Sequence, residues 1–194
     1  MYLINLNHNI KYMKNILTAI IILFAINASA QNLNKKMVDP NRHIELMINK
    51  CSREAITSFP EFKASYDPFY ASYKPDSTAL PELTKSLDHK KVTIVLGTWC
   101  GDSKYQVPHF LKIMDALKIK EDDITFIGVD GSKHAENGII DNLNITRVPT
   151  FIFSDKDGKE VARITERPTE TLEKDMLKIL AVKTKYWQTL SLFG

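Results

Sequence analysis

Between residues 91 and 180 the chain alternates continuous apolar runs with longer segments whose apolar residues recur every three or four positions. KVTIVLG (91–97), DITFIGVD (123–130) and PTFIFSD (149–155) are rich in β-branched and aromatic residues, and runs of this kind suit buried strands. SKYQVPHFLKIMDALKI (103–119) sets Val107, Phe110, Leu111, Met114 and Leu117 on one helical face. ENGIIDNLNI (136–145) reads as a short helix and turn. The Asp-Gly pair at 157–158 reads as a hairpin turn into a fourth strand, KEVARIT (159–165). PTETLEKDMLKIL (168–180) closes the segment as an amphipathic helix. Parallel strands joined by helices, followed by a hairpin and a last helix, predict an α/β sandwich with a mixed central sheet.

Upstream the periodicity is helical. NRHIELMINKCSREAITSF (41–59) places Ile44, Met47, Ile48, Cys51 and Ala55 at three- and four-residue steps, with Asp39 before Pro40 as a plausible cap. Cys51 lies on that apolar stripe, which suits a small buried hydrophobe; a partner thiol is the sharper reading. PEFKASYDPFYASYKPD (60–76) is aromatic-rich and interrupted by Pro68, predicting two short helices or a kink. STALPELTKSLD (77–88) predicts another short helix capped by Ser77 or Thr78. Residues 31–84 are therefore expected as a helical extension ahead of a domain at 85–194.

The N-terminus changes the picture. Lys11 and Lys14 precede ILTAIIILFAI (16–26), and NASA then offers Ala28 and Ala30 at small-residue cleavage positions. This is the pattern of a secretory signal peptide over 1–30, with the mature chain beginning at Gln31. The apolar run is too short to span a bilayer, so no membrane anchor is expected after cleavage. Met13 opens a complete signal of its own, MKNILTAI. The expected location is periplasmic or extracellular.

Composition is ordinary for a globular protein, with 44% hydrophobic and 25% charged residues. The chain has 26 Lys+Arg against 23 Asp+Glu; without Lys11 and Lys14 the balance is 24 to 23, near +1. No clustered basic face is legible, so nucleic acid is not an expected partner. The histidines at 43, 89, 109 and 134 show no metal-ligand spacing. No metal and no other cofactor is expected. Both cysteines, Cys51 and Cys100, belong to the exported part, where a disulfide can persist.

The chemistry concentrates in GTWCGDS (97–103). Cys100 sits where a buried strand turns into a helix, and the unpaired N–H groups of a helix start favour a thiolate. Asp102 in the same turn opposes it. Trp99 and the Gly101–Asp102 pair make an inert cysteine the weaker reading. A dithiol C-x-x-C signature would need a cysteine at 103, and Ser103 stands there.

GTWCGDS and, some fifty residues later, NITRVPTFIFSDKDGKEVARI (144–164) together resemble the thioredoxin superfamily over roughly residues 85–182. The resemblance implies a thioredoxin-like three-layer sandwich, a nucleophilic thiolate at Cys100 and a cis bond at Val148–Pro149. It also implies substrate docking on Val148, Pro149, Trp99, Gly101 and Asp102. The departures are as informative. Ser103 holds the resolving position, Ile94 stands where family members often bury an acid, and RITERPT (163–169) lacks the glycine often used for substrate contact. Residues 31–84 resemble N-terminal additions of exported bacterial thioredoxin-like proteins.

Thiol–disulfide exchange needs an attack and then a resolution by a second thiol. Cys100 can attack; release must come from elsewhere. Three readings follow: a monothiol reductase or isomerase acting on cysteine-containing proteins or small thiols, a two-cysteine enzyme with Cys51 as remote resolver, and a binding module that keeps the fold without turnover. A peroxiredoxin is disfavoured, since the residues before Cys100 lack the proline-led motif such enzymes use.

Overall fold

The computed structural model describes residues 33–40 and 42–190. The expected signal peptide, residues 1–30, lies outside them. From Asn34 onward the chain forms a single compact unit, built on a six-stranded sheet in the order β1-β2-β4-β3-β5-β6.

The strands are β1 (Lys35–Val38), β2 (Glu45–Cys51), β3 (Lys91–Leu96), β4 (Ile124–Gly128), β5 (Thr150–Ser154) and β6 (Glu160–Thr165). The helices are α1 (Arg53–Ser58), α2 (Pro60–Ser72), α3 (Leu80–Ser86), α4 (Gly101–Ala116) and α5 (Leu172–Leu190). Only β3 and β4 pair in parallel; every other neighbour is antiparallel. The α/β fold with a mixed sheet is thus present, and its four later strands lie where the apolar runs place them.

Strand alternation divides the core. Val92, Ile94 and Leu96 of β3, Phe126 of β4, and Phe151 and Phe153 of β5 join the larger cluster, which all five helices cover. Phe110 of α4 stacks on Phe151 at 4.2 Å between ring centroids. Val95, Ile127 and Ile152 face the other way, onto Val129, Ile140 and Val148. That second layer is irregular. Residues 136–145, expected as a helix and turn, make two short 3₁₀ turns, Glu136–Gly138 and Asp141–Leu143. Asn137, Gly138 and Asn144 all adopt positive φ there, which no α-helix continues.

The region before residue 85 departs most from the sequence reading. The expected helix over 41–59 is strand β2 over its first part and helical only from Arg53. Leu46, Met47, Ile48 and Asn49 are all buried. A strand buried on both faces reads as a continuous apolar run and mimics helical spacing. Asp39 caps a hairpin turn rather than a helix: its carboxylate accepts from the N–H groups of Arg42 and Gly131. Since β2 pairs with β4, the boundary expected at 84/85 separates no units. The extension is a β-hairpin followed by three helices, and the hairpin widens the sheet.

Helix α2 is continuous through Pro68, so the chain does not divide there into two short helices. Pro68 and Ala64 are exposed there, so the carbonyl released by the proline can bond water. Helix α3 begins after Ala79 with no side-chain cap, and Thr78 donates instead to Asp76. Arg53 of α1 and Tyr70 of α2 both donate to Asp115 on α4, tying the added helices to the helix that carries the cysteine. Burial alone would raise the Asp115 carboxyl; the Arg53 and Tyr70 hydrogen bonds outweigh it and hold the group below its ordinary range.

Candidate active site

The β3–α4 junction places Cys100 as the N-cap of α4, in extended backbone, with its own N–H bonded to the Gly97 carbonyl at 2.9 Å. The thiol is partly exposed and donates to the Val148 carbonyl at 3.3 Å. The Val148–Pro149 bond is cis. Cys100 and Val148, distant in sequence, therefore meet at one surface. Gly101 beside it is exposed, and a side chain built there would meet nothing within 4 Å.

Ser103 is fully buried, and its Oγ accepts the Gly97 N–H at 3.3 Å. The hydroxyl at the resolving position is thus committed to the backbone of the active-site loop. Ile94 is fully buried in the helix-covered face of the sheet. The position carries no proton-transfer group.

Trp99 is held on two sides. Its indole N–H donates to the Val129 carbonyl at 3.0 Å, and the Arg42 guanidinium lies 4.1 Å from the ring centroid. Beneath it, a Cβ at Gly97 would come within 2.6 Å of the indole, so only glycine fits. One face of the indole is therefore covered by Arg42, from the turn that follows β1. Thr98, also buried, accepts the Met47 N–H of β2 at 3.2 Å. The added hairpin thus contacts the active-site loop at two points.

Asp102 is not a lone carboxylate. Arg167, in the segment between β6 and α5, donates to both its oxygens at 3.0 and 3.4 Å. The repulsion expected between Asp102 and a thiolate is countered by this cation. Arg167 lies in RITERPT, the segment without the glycine often used for substrate contact, and a basic residue there facing an acidic active-site turn is the sequence signal for this pair. Arg42 left no comparable trace, because the helix reading of 41–59 placed it elsewhere.

Cys51 belongs to another environment. It ends β2 opposite Phe126, which is itself opposite Ile94 of β3. Two strand spacings of about 4.8 Å separate it from β3. It joins the helix-covered cluster, whereas Cys100 packs against the opposite one. Both cysteines are free. Cys51 is buried in one cluster and Cys100 packs against the other, an arrangement that disfavours Cys51 as the resolving thiol. Burial pushes the Cys51 thiol up to about 11, and a hydrogen bond from the Gly128 backbone only partly offsets it. Among the described residues no group of His, Cys, Asp and Glu could hold a metal ion.

A family model described as thioredoxin matches residues 52–180, beginning before the expected boundary and spanning α1 to α5. Mitochondrial thioredoxin-3 of Saccharomyces cerevisiae is 31% identical over 97 residues, covering 50% of this chain and 70% of that protein. Thioredoxin H-type 1 of Nicotiana tabacum is 28% identical over 102 residues, 52% of this chain and 75% of that one. Among solved structures, a protein of unknown function from Pseudomonas aeruginosa superposes with a TM-score of 0.52 at 14% identity, covering 70% of this chain and 92% of that one, a likeness of fold alone. Because the family model takes in both the strand that delivers Cys100 and the strand that follows Pro149, the chain belongs to the thioredoxin family, and a thiol–disulfide redox role is the general role of its site.

Proposed function

We propose that this is an exported monothiol exchange protein that works through Cys100. The Cys100 thiolate attacks one sulfur of a substrate disulfide. A Cys100–substrate S–S bond forms, the substrate's own S–S bond breaks, and the departing sulfur leaves as a thiolate that takes up a proton. A second thiol, from a small molecule or from the substrate, then attacks the mixed disulfide; the new disulfide leaves and Cys100 returns as a thiolate. Net oxidation state is set by the thiol that resolves, so the same site serves as reductase or isomerase.

The observation that carries this reading is the pairing of an approachable sulfur with a committed hydroxyl. Cys100 is partly exposed beside an exposed Gly101, whereas Ser103 is buried and bonded to Gly97. A serine cannot displace a thiolate from a disulfide by exchange. The Arg167 guanidinium neutralises the Asp102 carboxylate beside Cys100, which would otherwise oppose a thiolate there. The leader over 1–30 supports export, into a compartment that holds disulfide substrates.

Ser103→Cys tests the reading. The natural protein should hold a peptide or small-thiol adduct on Cys100 until thiol is added, and Ser103→Cys should release it unaided as a 100–103 disulfide forms. Turnover of the variant should stay below that of a dithiol thioredoxin, because Ile94 supplies no acid. Spontaneous release from the natural protein would contradict the proposal. Failure of Cys100 to form any adduct would favour the binding-module reading.

A further inference from the structure

Beside the active-site turn lies a cavity of about 320 Å³ between α4, α2 and the segment leading into α5. Tyr73, Tyr105 and His109 form its aromatic wall, Gln106 and Leu172 belong to its lining, and Arg167 links it to Asp102. His109 stacks on Tyr73 at 4.3 Å between centroids and meets Tyr105 edge-on at 4.5 Å.

Two polar side chains here have no partner. His109 is 7% exposed and Gln106 8%, and among the described residues neither side chain makes a hydrogen bond. Every fully enclosed polar side-chain atom in the described residues does have a partner, so the ring nitrogens and the amide that lack one open into the cavity. Polar groups in such a nearly buried position are completed by whatever enters the cavity, water or a ligand.

The charged groups around them are already satisfied. Arg167 is paired with Asp102 and Glu170 with Lys174. The buried Glu173 carboxylate accepts from the Tyr73 hydroxyl and the Asp76 N–H. Burial holds the His109 imidazole below its ordinary value, against the pull of Glu173, which favours the neutral ring with its one donor and one acceptor. The cation and the carboxylate that line it, Arg167 and Glu170, are each already in an ion pair, so the cavity offers no unpaired charge to a charged occupant. A neutral planar group with a polar edge fits both the aromatic wall and the open hydrogen bonds.

We propose that this cavity is a specificity subsite for an uncharged aromatic side chain, tyrosine or tryptophan, of the polypeptide captured on Cys100. The proposal rests on the exchange reading for its substrate class. Along α4, Tyr105 and His109 lie five and nine residues from Cys100, about 7.5 and 13.5 Å at 1.5 Å per residue. An extended chain covers about 3.3 Å per residue, so the aromatic residue stands two to four positions from the captured cysteine.

The test uses the full chain and peptides with one activated cysteine disulfide and Tyr, Trp, Ala, Glu or Lys three positions away. Tyrosine and tryptophan peptides should form the Cys100 adduct about tenfold faster than the alanine peptide, and glutamate and lysine should show no gain. Either Gln106→Leu or His109→Phe should collapse the tyrosine-to-alanine ratio towards one. A second arm removes the chemistry: serine-for-cysteine peptides are added to Cys100→Ser protein, and the His109 ring C–H signals are followed by NMR. Saturable movement with the tyrosine peptide and none with alanine supports the subsite, even if no peptide reacts with the natural protein, a result that would overturn only the exchange reading. Equal rates for tyrosine and alanine peptides, or a His109 ring that the tyrosine peptide does not move, overturns the subsite.

Discussion

Cys51 ends a strand of the sheet and Cys100 caps the helix that follows β3, and the two differ in almost everything else. Cys51 faces the helices, within a core of large aliphatic and aromatic side chains. Cys100, in the turn after β3, packs against the other cluster, partly exposed and beside the Val148 carbonyl. The first environment removes the thiol from solvent and from exchange partners; the second presents it. A cysteine's chemistry is thus decided by which face of the sheet receives it. One face supplies stability, the other supplies reach.

The largest expected effect tests that division. Phe110→Ala, on the helix-covered face and stacked on Phe151, should cost about 3 to 5 kcal/mol of stability in denaturant unfolding. Adduct formation at Cys100 should persist in whatever fraction remains folded. A variant that keeps its stability would show that the helix-covered core is not what holds the sheet.

Next comes pH. The unfolded Cys51 thiol has an ordinary value near 9.0, and the folded one about 11, so its proton is held more tightly in the fold. Below pH 9 the contribution is complete; it is lost as pH rises from about 9 to about 11, amounting to roughly 2 to 3 kcal/mol. Thermal melts of natural protein and Cys51→Ala across that range should converge as pH rises. Parallel curves would mean that Cys51 is not sequestered.

Cys51→Ser should cost about 1 to 2 kcal/mol by placing a hydroxyl in an apolar site, with the adduct rate at Cys100 unchanged. Loss of that rate would link the two sulfurs after all. Smallest of all, Ser103→Ala leaves the buried Gly97 N–H without its acceptor and should cost about 1 kcal/mol by the same unfolding measurement. No loss would show that the hydroxyl is not tied to the loop.

The legibility of these features follows the range of the forces that make them. β3, β4 and β5 are visible as β-branched runs because burial on both faces leaves no polar interruption. The same property hid β2: Leu46, Met47 and Ile48 are buried together, and only pairing with β4 shows that the segment is extended. Within the site, Cys100, Ser103, Val148 and Pro149 could be named from local motifs. Arg167 against Asp102, Arg42 over Trp99, and the unpartnered Gln106 and His109 could not. Each arises from a contact between segments far apart in the chain, where local periodicity carries no information.

The central claim is that one sulfur reacts and that it needs an outside thiol for release. The most direct measurement is mass spectrometry of the protein treated with a disulfide substrate, trapped by acid with and without added thiol, and mapped by proteolysis. The account predicts a single adduct on Cys100, Cys51 unmodified, and loss of the adduct only after thiol is supplied. An adduct on Cys51, or an intramolecular Cys51–Cys100 disulfide forming as the adduct leaves, would contradict it.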